Sequence, residues 1–182
     1  MKVVNLFPLS IIQEKISLDK NVKNEMTKEI ETMVSKSKNR DYKNKNESWT
    51  GDTQGFEYLN KNEKFKELFI HIKKTAIKYL DHLKINENVI DLYITRSWAT
   101  LSNGKENILS HNHLQSHISF AYYLKKNAED SNIVFIEEHF QNEIIPGIFR
   151  SPTVRDKGVI KEFNIFNAPS IDLKIEEDDL VM

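Results

Sequence analysis

Apolar residues first recur at helical spacing. Val22, Met26, Ile30, Met33 and Val34 stand four and three positions apart, so they share one face of a helix, and Lys and Glu fill the other face. A longer stripe follows. Phe65, Leu68, Phe69, Ile72, Ala76, Leu80 and Leu83 predict a helix over 62–84. His71 and His82 belong to it and are expected at its surface or at the edge of the core. From residue 88 the texture changes. VIDLYITRSWATL, HISFAYYLK, NIVFIEE, VIKEFNIF and SIDLKIEEDDLVM are short runs rich in Ile, Val, Phe and Tyr, and polar or Gly/Pro breaks separate them; these predict strands. Ile90, Leu92 and Ile94 alternate with Asp91, Tyr93 and Thr95, as on a half-buried strand. Residues 3–12 predict an earlier strand containing Pro8. The polar stretch 36–48 has no periodicity and reads as a loop. WTGDTQGFEYL (49–59) reads as a loop that packs Trp49 against the domain or, alternatively, lies near a substrate mouth. Helices first and strands afterwards predict an α+β fold, a helical layer on an antiparallel sheet or barrel, in one domain over 1–182.

Composition narrows the chemistry. The chain has 182 residues, 39% hydrophobic and 29% charged, with ten Phe, six Tyr and two Trp, which fits a globular protein and not a disordered one. A net charge of −1 gives no electrostatic case for nucleic acid. The absence of cysteine excludes disulfides, thiolate nucleophiles and Cys-based zinc or iron–sulfur sites. No apolar run approaches the ~20 residues that a membrane-spanning helix needs. The N-terminal MKVVNLFPLSII is apolar but short and lacks a small-residue cleavage site. The expected location is the cytoplasm, or the host cytoplasm for a viral protein.

Three of the six histidines fall within seven residues, in SHNHLQSHISFAYYL (110–124). On a strand, positions i and i+2 point the same way, so His111 and His113 are expected to present two imidazoles together while Asn112 faces away. Such a pair suits Fe(II), Zn or Cu. On the run that follows, His117, Ser119, Ala121 and Tyr123 form a mixed, pocket-like set. Ile118, Phe120, Tyr122 and Leu124 form an apolar set suited to the core.

The block from 98 to 124 resembles the 2-oxoglutarate/Fe(II) oxygenases of bacteria and phages, relatives of the prolyl hydroxylases. Their pattern is a Trp, a Gly/Asn loop, H-x-H and S-G-x-Y-Y-L. Its counterparts here are Trp98, Asn103-Gly104, His111-Asn112-His113 and Ser119-Phe120-Ala121-Tyr122-Tyr123-Leu124. Leu6 to Pro8 resembles the family's opening strand, and residues 48–59 resemble its Trp/Gly segment. Phe120 stands where the family usually has Gly, and Leu114 where Pro is common. The resemblance implies a double-stranded β-helix, the jelly-roll core shared with cupins, with the N-terminal helices packed on one sheet. It implies Fe(II), with His111 as first ligand and His113, where relatives more often carry an acid, as second ligand or as a neighbour of the site. It implies 2-oxoglutarate as cosubstrate, Tyr123 reaching its carboxylate, and Ser119, Ala121 and Trp98 lining the same pocket.

The family's third ligand, a distal His, and its 2-oxoglutarate-binding Arg follow a segment P-x-x-G-D-L-V-x-F-P. IEEDDLVM resembles the start of that segment, and no His follows His139 and no Arg follows Arg155. The expectation is therefore a domain lacking its last strands. His139 is a substitute ligand to consider, and Arg96, Arg150 and Arg155 are open candidates for carboxylate binding. The activity implied is hydroxylation of a protein side chain or small molecule. The alternatives are a non-catalytic jelly-roll module without a complete metal site and a cupin-type metal enzyme that does not use 2-oxoglutarate. The partners expected are the cosubstrate, an unspecified substrate and, as an option, a second copy in a homodimer. Neither nucleic acid nor a membrane is expected.

Overall fold

The computed structural model describes residues 1–6, 9–37, 47–48, 53, 55–102, 107–139 and 142–182. In chain order the elements are β1 (Gln13–Lys15), α1 (Lys20–Lys36), β2 (Glu47–Ser48), α2 (Lys66–His82), β3 (Asn107–Ile108), β4 (Ala121–Tyr122), β5 (Ile133–Ile136), α3 (Pro152–Asp156), β6 (Ser170–Leu173) and β7 (Asp179–Val181). Helices and small sheets are mixed, an α+β chain. Among the described residues the sheets have three, two and two strands, and none is closed. The described residues group into two compact units, Met1–Asn127 with Glu176–Met182, and Ala128–Ile175.

The first unit holds the helices and the main core. Asp19 caps α1, its carboxylate accepting the Asn21 N–H at 2.7 Å. Helix α2 enters through a 3-10 turn at Glu63–Phe65, which Asn62 caps. The predicted faces are the buried ones. Met26 and Met33 of α1 meet Leu68 and Ile72 of α2, together with Phe65, Leu59, Ile16, Leu18, Leu180 and Met182. Leu83, the last residue of the second predicted stripe, is exposed because the helix ends at His82. Thr75 is buried on α2, and its hydroxyl donates to Glu14 at 2.9 Å, which ties the helix to β1. Lys78 pairs with the same carboxylate.

β7 is the middle strand of the order β1-β7-β4 and runs antiparallel to both neighbours. Leu180 is fully buried within it. The backbone ladder reaches one residue further at each end, through Ile12 with Met182 and Tyr123 with Asp178 and Asp179. Ile118, Phe120, Tyr122 and Leu124, the set expected to face the core, pack against it. Asp179 is a buried carboxylate that accepts from the Glu176 N–H at 2.7 Å and the Gln13 amide at 3.0 Å, with Lys15 at 3.5 Å. Burial pushes its pKa up, but the Glu176 and Gln13 hydrogen bonds and the Lys15 charge outweigh that and hold it below the ordinary aspartate value. Asp178 turns the chain into β7 with φ +71°, a left-handed conformation uncommon outside glycine. Its carboxylate accepts from the Tyr122 hydroxyl at 2.7 Å and pairs with Lys23 at 2.8 Å, and these contacts hold the strained residue in place.

Several predicted strands do not form. Residues 3–6 and 9–11 are not strand, and Val3, Val4, Leu6 and Leu9 are exposed; pairing starts at Ile12, where Met182 supplies a partner. The run from 88 to 101 begins within a 3-10 turn at Glu87–Val89 and, among the described residues, pairs only at Ser97, bridged to Tyr58. Ile90, Leu92 and Tyr93 are exposed, because no neighbouring strand among the described residues takes up their backbone groups. Residues 159–166 are irregular, with a turn only from Ile165, and are not a strand. The run 170–182 divides into β6 and β7 at the Asp178 turn.

The second unit is an antiparallel ribbon, β5 with β6, with Phe135 opposite Ile171 and Ile133 opposite Leu173. The Asn132 side chain accepts the Ile175 N–H at 3.1 Å at its base. Ile148 and Ile175 are buried apolar residues among its described residues.

Asp179→Ala should cost about 1–3 kcal/mol at pH 7, because the Glu176 and Gln13 donors lose their acceptor. The folded-state pKa is lowered, so the carboxylate's contribution is complete above the unfolded value of ~3.9 and is lost as pH falls through the folded value. Urea unfolding at pH 7 and at pH 3 should therefore show a gap between wild type and variant that narrows in acid; an equal gap at both would show that the ionised form adds nothing.

Candidate metal centre

Hydrogen bonds on both sides fix the start of the site. The Ser97 N–H donates to the Glu57 carbonyl at 2.9 Å, and the Leu59 N–H donates to the Ser97 carbonyl at 3.1 Å. The Ser97 hydroxyl donates to the Asn60 side chain at 2.8 Å and accepts the Asn60 N–H at 3.0 Å. On the far side the Ala99 N–H donates to the Thr53 hydroxyl at 3.1 Å. Thr53 and Ser97 are both buried. Trp98 is thus held between two anchored residues. Arg96 lies on the other side of the clamp, its guanidinium carbon 5.4 Å from the centre of the Trp98 ring.

The histidines arrive from β3, which pairs in parallel with β2. The sequence places them at the opening of a strand. They lie instead on an exposed connection: β4 begins only at Ala121, and a turn follows His113, whose carbonyl accepts the Ser116 N–H at 3.2 Å. The chain there has no ladder partner among the described residues, so it does not form a strand. The rings come together all the same. His111 and His113 stand with centroids 4.9 Å apart and planes at 86°. Trp98 lies 5.7 Å from His113, tilted by 52°.

The spacing has chemical content. With metal–nitrogen bonds of about 2.0–2.1 Å and about 1.1 Å from nitrogen to ring centre, two imidazoles in adjacent positions on one ion have centroids about 4.4–5.2 Å apart. The observed pair falls in that interval. His111 Nδ1 lies 2.7 Å from the Leu109 carbonyl oxygen, which can only accept, so Nδ1 donates there and Nε2 is the nitrogen that carries the lone pair in the neutral ring. A second hydrogen bond of this kind is what orients a metal-bound histidine. The pKa of His113 is lowered, first by desolvation where its ring lies against its neighbours and then by the charges of His111 and Arg96. The neutral, ligand-competent form is thereby favoured. The pair has the spacing and angle of an edge-to-face ring contact, and no group of three His, Cys, Asp or Glu able to hold a metal occurs among the described residues.

The other expected site residues are less tightly gathered. His117 and Ser119 are exposed, and Ala121 and Tyr123 are half-buried along β4. No hydrogen bond or ring contact joins Ser119, Ala121 or Tyr123 to either histidine of the pair among the described residues. Burial, and then the charge of Asp179, push the Tyr123 phenol pKa up, so it stays protonated and able to donate. His139 is in the second unit, where its N–H donates to Glu137 at 2.7 Å. Arg150 is in that unit too and donates to the Glu137 carbonyl at 3.0 Å. The Arg155 side chain, Trp49, Phe7, Pro8, Asn103 and Gly104 lie outside the described residues. Thr53, Ser97 and Asn60, which clamp Trp98, were not legible beforehand. The only sequence signal for them is small polar residues close to aromatic ones.

No family model, curated protein or solved structure matches the chain.

Because both histidines are exposed and outside the core, His111→Ala and His113→Ala should leave stability within about 0.5 kcal/mol. Phe65→Ala, at a core position, should cost about 3–5 kcal/mol. Each histidine variant should nonetheless weaken Co(II) binding. Thermal melts beside Co(II) titrations read both quantities, and histidine variants that bind Co(II) like the wild type would remove the pair from the site.

Proposed function

We propose that the chain is an Fe(II)- and 2-oxoglutarate-dependent oxygenase that hydroxylates a protein side chain or a small molecule, with His111 and His113 as metal ligands. The observation that carries this reading is the meeting of the two rings at a ligand-pair spacing, with His111 Nδ1 committed to a backbone carbonyl. Ferrous iron with 2-oxoglutarate supplies, when bound, the oxidising power to insert oxygen into a C–H bond. The protein's part is positional. Leu109 fixes the His111 ring, Trp98 covers one side of His113, and the protonated Tyr123 phenol offers a donor to a carboxylate.

Further support comes from the end of the chain. Asp178 precedes Asp179-Leu180-Val181 at the place of the glycine in the family's G-D-L-V segment, and it takes the left-handed conformation that glycine favours. The double-stranded β-helix belongs to the same proposal, with β1-β7-β4 as part of one of its sheets. A cytoplasmic setting also belongs to it; among the described residues no helix is long and apolar enough to cross a membrane.

A second reading has its own observation. The described residues supply two imidazoles and no third protein ligand, which favours a binding module that keeps the scaffold without redox chemistry.

Full-length protein given Fe(II), ascorbate and 2-oxoglutarate should form succinate, and His111→Ala should lower that rate by about 100-fold or more. Iron binding without succinate would point to a metal enzyme of another kind. Failure to bind iron at all would favour the module.

A further inference from the structure

The run that joins α2 to Ser97 is extended and left unpaired. Ile90 has strand geometry, with φ −131° and ψ 146°, and the backbone of residues 90–94 makes no hydrogen bond among the described residues. Both ends of the run are held. Before it, the Asn86 side chain accepts the Asn88 N–H at 3.1 Å; after it, the Ser97 N–H donates to the Glu57 carbonyl at 2.9 Å. Tyr93 is 81% exposed and Val89 75%, and Ile90 and Leu92 are exposed as well. Open strand edges are normally guarded by charge, Pro or a bulge. β1, an outer strand of its sheet, reads Gln-Glu-Lys. Ile90-Asp91-Leu92-Tyr93-Ile94 carries one charge and neither Pro nor Gly.

We propose that residues 90–94 form a homodimer interface, pairing antiparallel with the same residues of a second copy about a twofold axis at Leu92. Symmetry and side-chain chemistry choose this register. Two identical antiparallel strands related by a twofold axis set one residue opposite itself. With Leu92 on the axis, Ile90 lies opposite the second copy's Ile94, and Asp91 opposite its Tyr93. All five residues between the Glu87–Val89 turn and the bend at Thr95 then find partners. Ile90, Leu92 and Ile94 of both copies make one continuous apolar face. An axis at Asp91 would set two carboxylates opposite each other, which is destabilising. An axis at Tyr93 would carry Ile90 past the bend, opposite Arg96. Five residues a side make a small interface, so association is reversible and depends on concentration. The inference is independent of the histidine pair.

In sedimentation equilibrium the full-length protein should shift from monomer toward dimer across about 1–200 μM. Leu92→Lys sets two ammonium groups at the axis and should weaken association by about 10-fold or more. Leu92 is exposed, so this variant should melt within about 2 °C of the wild type. The chain has no cysteine, so single introduced thiols read the register without relying on that variant. On mild oxidation Leu92→Cys should cross-link to itself, because directly opposite residues have Cα atoms about 4.5–5.5 Å apart, within disulfide reach. Asp91→Cys should not cross-link alone but should do so when mixed with Tyr93→Cys. A protein that stays monomeric throughout that range, or a dimer that Leu92→Lys does not weaken, overturns the proposal. A monomer in which the amides of residues 90–94 resist hydrogen exchange overturns it too, since the chain itself then covers the segment. Cross-linking of Asp91→Cys as readily as of Leu92→Cys removes the axis from Leu92 and the proposal with it.

Discussion

The first unit depends on the burial of one short strand. β7 separates β1 from β4, and among the described residues neither of those pairs with any other strand. Every residue from Asp179 to Met182 is buried, so the strand contributes apolar surface as well as ladder hydrogen bonds. It also joins distant parts of the sequence. β1 leads directly into the two helices, whereas β4 follows the histidine connection, and Tyr123 and Asp178 exchange backbone hydrogen bonds on either side of residues 124–177. A long excursion whose two ends are hydrogen-bonded at its base adds little closure entropy for each further residue, since that cost grows only logarithmically with length. Such a base tolerates a separate compact unit between its ends.

Polar groups around β7 are arranged to make that burial acceptable. An ionised carboxylate in a core is costly unless it is hydrogen-bonded. Asp179 meets this with the Glu176 N–H and the Gln13 amide, and Lys15 lies at the rim. The Asp178 turn works in the same way. A left-handed non-glycine residue costs about 1–3 kcal/mol, and the Tyr122 hydroxyl and Lys23 ammonium offset it. Tyr122 belongs to the core face of β4 and Lys23 to α1, so one strained residue registers a strand and a helix against β7.

The helices were legible because a period of 3.6 over seventeen residues has few rival explanations, and both apolar stripes are buried. The alternation after Phe120 was legible for a related reason: its core set has a core to meet. The runs at 3–12 and 88–101 were misread because alternation describes what a strand would bury, not whether a partner exists to bury it. Ile90 and Leu92 have the pattern and lack the neighbour. Long-range pairing decides such segments, and no local spacing encodes it.

The candidate site shows the same division between local and distant information. That His111 and His113 belong together was visible in their spacing, although the reason given for it, a shared strand face, is not the one realised. An extended connection followed by a turn brings the rings together. What could not be read was the support for Trp98, since Asn60 lies 37 positions from Ser97 and Thr53 lies 46 from Ala99, and they meet only through the fold. The arrangement has a mechanical consequence. The aromatic wall is clamped to buried hydroxyls, whereas the imidazoles ride on an exposed segment held mainly by the Leu109 carbonyl and the turn at Ser116. Any ordering of that segment falls on a few residues instead of the whole wall.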